Sequence, residues 1–129
     1  MILNFKPQFV DPILNGSKIH TIREDKNRKW LSGREIQFYT GLRTKKAKQF
    51  KELECVSVQH IRMFRGIEDI MILVDNRKLS DQEIHQLALN DGIKNKEELI
   101  EFFIPGKPNY HHDLNDWEGW IIHWTNKKY

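Results

Sequence analysis

Cys55 is the only cysteine, so no internal disulfide can form and a disulfide-stapled scaffold is excluded. No stretch approaches the roughly 20 apolar residues that a membrane-spanning helix requires. Lys6 and Pro7 interrupt the apolar start, so a secretory leader is not expected. Zinc-ligand spacing is missing too. His111 and His112 are adjacent, their side chains diverge in an extended segment, and no further ligand stands at a workable interval. No metal and no cofactor is expected. Internal repeats and low-complexity tracts are also lacking. These absences leave a cytoplasmic domain without a membrane span as the expectation.

What is present suits one folded unit. A chain of 129 residues, 39% hydrophobic and 30% charged, is long enough for one real core, so residues 1–129 are read as a single domain. The formal charge of +3 is weak evidence of any partner, but its distribution is informative. Lys26, Arg28 and Lys29 form one basic cluster, and Arg43, Lys45, Lys46, Lys48 and Lys51 a denser one. Acidic residues gather between Asp81 and Glu101. A positive face opposite a negative one favours a polyanionic or phosphate-bearing partner.

Periodicity outlines the elements. Ile2–Phe5 reads as a strand, and Asp11-Pro12 as the start of a short helix, with Ile13 and Leu14 toward the core and Gly16 as its cap. Ile19–Arg23 is a strand with His20 and Ile22 on one side and Ile19, Thr21 and Arg23 on the other. This mixed pattern suits a strand whose second face lines a cleft. Gly33 turns into a strand over Glu35–Tyr39, and a basic loop over Arg43–Lys51 follows. Leu53–Phe64 reads as one long strand with a bulge near Cys55–Val58. Ile70–Val74 is a buried strand ended by Asp75-Asn76. Ser80 with Glu83 and Asn95 with Glu98 mark the starts of two helices, the first stopped by Asn90-Asp91-Gly92 and the second by Pro105-Gly106. Trp117–Trp124 closes the chain as a strand. Strands outnumber helices and do not alternate with them. The expectation is an α+β fold: a small, mostly antiparallel barrel with a short N-terminal helix and two inserted helices.

The chemistry concentrates in Gly16-Ser17-Lys18-Ile19-His20-Thr21-Ile22-Arg23, which puts an amine, a hydroxyl and a guanidinium among apolar neighbours. A desolvated Lys18 beside Arg23 would titrate low and take the proton of Thr21 Oγ1, with backbone N–H groups near Gly16 or Gly92 holding an oxyanion. The plainer account makes Lys18 a surface lysine after a helix cap and Thr21 an ordinary strand residue. Arg23 suits a phosphate or carboxylate, or a structural ion pair with Asp91, Asp25 or Glu24. The basic run Arg43, Lys45, Lys46, Lys48 and Lys51 would track a nucleic-acid backbone, with Phe50 or Tyr39 as a stacking surface, or form a solvated hairpin loop. Trp30, alone among charges, is a candidate for stacking on a base. His20 packs or lines the cleft, with a general-base role open. Trp117, Trp120 and Trp124 belong to core and rim, and Cys55 is expected to be buried.

The run Lys6-Pro7-Gln8-Phe9, followed by Ile13 through Arg23, resembles the signature of the ASCH domain family within the PUA-like superfamily. Gly16, Lys18, Thr21 and Arg23 stand at the four marked positions of its glycine–x–lysine–x–x–threonine/glutamate–x–arginine pattern. Gly33 before a strand, the helical stretch Leu79–Gly92 and the closing strand Gly119–Trp124 extend the resemblance over nearly the whole chain. It implies a PUA-like barrel whose cleft, between barrel and helix, admits a nucleobase or similar group, with RNA or a modified nucleoside as partner. Ligand contacts would come from Gly16, Lys18, Thr21, Arg23, Trp30 and Tyr39. A bacterial branch of the family hydrolyses N4-acetylcytidine through a lysine, a threonine and a glutamate. In that branch's arrangement the catalytic positions here would be Lys18, Thr21 and, with a shorter side chain, Asp91. A module that binds a small molecule or a protein, without catalysis, is the remaining alternative.

Overall fold

Leu3 and Phe5 alternate with exposed Ile2 and Asn4, and the computed structural model forms the first strand, β1, over Ile2–Phe5. The structure describes residues 1–24, 30–66, 69–106 and 116–129. Asp25, the basic cluster Lys26, Arg28 and Lys29, and the pair His111 and His112 lie outside the described residues.

The first helix begins earlier than Asp11-Pro12 suggests. A 3-10 turn over Pro7–Phe9 has Pro7 in its opening positions, where no N–H is needed, and runs straight into α1 (Val10–Asn15). Asp11 therefore sits inside the first turn rather than at the cap. Ile13 is buried but Leu14 is 50% exposed, which corrects the expectation that both face the core. Gly16 caps α1 at φ 85°, its N–H donating to Ile13 O.

The other elements are β2 (His20–Arg23), β3 (Glu35–Thr40), β4 (Lys48–Glu54), β5 (Ser57–Arg65), β6 (Ile70–Val74), β7 (Arg77–Lys78), α2 (Asp81–Asn90), α3 (Lys96–Phe103) and β8 (Asp116–His123). The class is α+β, and apart from the parallel pair β1/β3 the strand pairs are antiparallel. Asp75 and Asn76 both have positive φ (49° and 66°), the signature of a type I′ hairpin turn. The Ser80–Glu83 capping box of α2 is complete in both directions.

The expected closed barrel does not form among the described residues. The strands make two sheets, one ordered β1-β3-β4 and the other β2-β8-β5-β6-β7. The long strand expected over Leu53–Phe64 is broken where a bulge was anticipated. Cys55 N still donates to Arg34 O in the first sheet (2.7 Å), whereas Val56 N already donates to His123 O in the second (2.8 Å). The chain therefore changes sheets across one peptide. The basic loop is also shorter than expected, because Lys48 and Lys51 belong to β4.

Apolar faces of both sheets meet in the core. Phe5 stacks on Phe38 (5.4 Å), and Trp124 meets Phe38 edge-on (4.9 Å). Removing each such ring from water is worth about 1.5–3 kcal/mol. On the far side β1 and β2 are both edge strands. Between them Arg23 Nη2 donates to Asn4 O (2.7 Å), so a side chain bridges the sheets where a barrel would have a backbone ladder.

Candidate functional site at the open seam

Because β1 and β2 do not pair, a cavity of about 340 Å³ opens between them and is closed on one side by Phe102 and Phe103 of α3. Such a volume is within the range of about 300–1,000 Å³ usual for small-molecule sites. Lys18, Thr21, Arg23 and Asp91 all line it, with Phe5 and Phe9 as apolar walls.

Each polar group is delivered by a local device. After the Gly16 cap, Lys18 N donates to Pro12 O (3.0 Å) and Ile19 N to Asn90 O (2.8 Å), which fastens the segment before β2 to the end of α2. That end is a Schellman motif. Gly92 N donates to Leu89 O and Ile93 N to Ala88 O, with Gly92 at φ 82°. The motif holds Asp91 as C-cap and turns its carbonyl toward Lys18. Lys18 Nζ donates to that carbonyl (2.6 Å) and to Asp91 Oδ1 (3.2 Å). It also lies 4.7 Å from the Phe9 ring centroid. A helix C-terminus and an aromatic face both favour a cation.

Lys18 is only 2% exposed, so it is not the surface lysine of the plainer account. Burial lowers its pKa, Asp91 opposes the shift by charge and hydrogen bond, and Arg23 adds a smaller downward push. Thr21 Oγ1 accepts from Arg23 Nε (3.1 Å), which leaves its own proton to donate elsewhere. Arg23 also covers the Phe5 ring at 4.9 Å.

Behind Asp91 runs a chain of hydrogen bonds, exposed at Gln86 and buried at His20, whose direction can be deduced. Gln86 Nε2 donates to Asn90 Oδ1 (2.8 Å), so the amide nitrogen of Asn90 is free to donate to Tyr129 Oη (2.7 Å). Burial pushes the Tyr129 phenol up to about 12, which keeps it protonated as a donor to His20 Nε2 (2.7 Å). His20 then carries its proton on Nδ1 and donates it to Asp91 Oδ1 (3.1 Å). Burial lowers the pKa of His20, with Asp91 opposing, so the ring is held neutral. Asp91 Oδ1 thus receives both Lys18 and His20.

Other expected site residues fall elsewhere. Gly16 does not line the cavity, and its N–H is used by Ile13 O. The N–H of Gly92 is used by Leu89 O, so neither glycine is placed to hold an oxyanion. Trp30 is half-buried against the core, and Tyr39 lies on β3; neither lines the cavity. Arg43, Lys45 and Lys46 are exposed on the turn after β3, and Lys48 and Lys51 follow on β4. Among the described residues no cluster of histidine, cysteine, aspartate or glutamate could hold a metal ion. Sequence reasoning missed Asn4, Phe102 and above all Tyr129, which carries no motif or periodic signal and follows a polar tail. No helix among the described residues is long and apolar enough to cross a membrane. The chain matches no protein-family model, no curated protein and no solved structure.

Proposed function

We propose that this chain is an ASCH-type, PUA-like domain that takes an unstacked base of RNA, or a modified nucleoside, into the cavity beside Lys18, Thr21, Arg23 and Asp91. One observation carries this reading. An amine, a hydroxyl, a guanidinium and a carboxylate from distant parts of the chain share one aromatic-walled cavity of about 340 Å³. Flat apolar walls suit the faces of a base, while the Lys18 amine and the Thr21 hydroxyl offer donors and Asp91 an acceptor to its edge. Arg43, Lys45 and Lys46, exposed on the turn after β3, supply positive charge for phosphates. The test is equilibrium binding of cytidine, N4-acetylcytidine and single-stranded RNA to the protein and to Lys18→Met. Binding that weakens in the variant, and for RNA weakens with salt, supports the reading; equal affinity of both proteins for every ligand rejects it.

A second reading, hydrolysis of an N4-acylated cytidine, is favoured by one feature: the lowered pKa of the buried Lys18 amine within the same cavity as Thr21. Thr21 would pass its proton to Lys18, its oxygen would attack the acyl carbon, and the C–N bond would break. Lys18 would return the proton to the departing nitrogen, and water would then release the acyl group from Thr21. In the structure, however, Lys18 is bonded to Asp91 and Thr21 to Arg23, so substrate would first have to redirect both. Binding therefore stands ahead of catalysis. Release of cytidine from N4-acetylcytidine, above the level of Lys18→Ala, would establish the reaction.

A further inference from the structure

A second hollow of about 520 Å³ adjoins the first, and Asn4, Phe5 and Lys6 form the wall common to both. We propose that it is a subsite for the next nucleotide along a strand, so that the ligand recognised is a phosphodiester-linked pair and not a free nucleoside. This rests on the reading of the first cavity as a nucleoside site.

The shared wall is built and held from both sides. Arg23 Nη2 donates to Asn4 O (2.7 Å) from the first cavity, and Leu42 N donates to Asn4 Oδ1 (3.0 Å) from the second. Asn4 is thus fixed as a ridge between two hollows. The second hollow combines an apolar lining, from Pro7, Val10 and Leu42, with the amine-bearing Lys6 and Lys46. Lys6 lines both hollows, and its Nζ lies 4.9 Å from the ring centroid of Phe102 at the first. A cation at the divide and another beyond it, beside an apolar surface, match a flat base joined through a phosphate.

The turn that presents Lys46 is ordered by its own hydrogen bonds. Thr44 Oγ1 donates to Gly41 O (2.6 Å) and accepts from Lys46 N (3.1 Å), while Ala47 N donates to Thr44 O (3.3 Å). Gly41 has φ 69°, and a Cβ there would lie 3.0 Å from Lys46 O. Little ordering remains to be done when a ligand arrives.

Titration with cytidine and with the dinucleoside monophosphate CpC, at low and moderate salt, tests the proposal. CpC is expected to bind about tenfold tighter than cytidine, through one phosphate contact and an apolar surface for the second base, and the gain should fall with rising salt. Lys46→Glu, on an exposed side chain, should remove most of that gain and leave cytidine binding unchanged. Lys78→Glu applies the same charge change on β7, at the far edge of the other sheet, and should leave both affinities unchanged. If CpC gains nothing over cytidine, or if Lys78→Glu acts as strongly as Lys46→Glu, the second subsite is rejected while the first stands. If neither ligand binds, both readings fall.

Discussion

Replacing Asp91 with asparagine preserves the shape of the α2 corner and removes the charge that Lys18 and His20 share. Burial lowers the pKa of the Lys18 amine, and Asp91 is what pulls it back up. Breaking a buried ion pair from one side costs about 3–5 kcal/mol. The backbone carbonyl at position 91 and the asparagine amide oxygen can still accept from the amine, so we expect the low end, about 3 kcal/mol at pH 7. For a chain of this size that is a fall in Tm of roughly 9–12 °C, at about 3–4 °C per kcal/mol. Without Asp91 the folded-state pKa of Lys18 drops further below its ordinary value of 10.5. The extra cost is full below the variant's folded-state pKa, declines above it, and is gone above the wild-type folded-state pKa, which lies below 10.5. Urea unfolding of both proteins at pH 7 and pH 10 measures this. The deficit should be smaller at the higher pH, the remainder reflecting a weaker bond from His20. A deficit of equal size at both pH values, or one below about 0.5 kcal/mol at pH 7, refutes the reasoning.

Two further outcomes are expected. Burial lowers the pKa of His20 and, with His20 and Lys128 adding repulsion and Asp75 opposing, takes His123 down to about 3. In the unfolded chain both rings take up a proton near pH 6.5, so stability is lost as pH falls below that value, continuing to about 3 for His123. The slope is up to about 1.4 kcal/mol per pH unit for each ring. Thermal melts between pH 7 and pH 4.5 should therefore show a falling Tm, less steeply in His123→Gln; equal slopes in the two proteins would contradict this. Gly92→Ala imposes a side chain at φ 82° and puts its Cβ 3.1 Å from Phe9 Cδ1 and 3.2 Å from Lys18 Cδ. It should cost about 1–3 kcal/mol and weaken nucleoside binding, because Phe9 and Lys18 must both yield; an unchanged Tm and affinity would show that the corner does not position them.

Much of the local structure was legible in the chain because it depends on neighbours in sequence. The Gly16 cap, the Ser80–Glu83 box, the Asp75-Asn76 turn and the burial of Ile36 and Phe38 are each set by residues within a few positions of one another. Lys18, Thr21 and Arg23, all within the run from Gly16 to Arg23, line one hollow, since alternation along β2 and the preceding cap deliver them together. Other readings failed where a local signal has two outcomes. The irregularity at Cys55–Val58 was compatible with a bulge or with a change of sheet, and only the partners Arg34 and His123, far apart along the chain, decide between them.

The sequence by itself determined β1, β2, β3 and β6, the helices α2 and α3 with their N-caps, and the chemical groups near Lys18, because backbone propensity and side-chain periodicity act over a few residues. Tertiary structure alone decided that β1 and β2 stay unpaired, that a cavity opens between them, and that Tyr129 and His20 hold Asp91 against a buried amine. These depend on the angle between two sheets and on hydrogen bonds between residues up to 109 positions apart, and no short-range pattern encodes either.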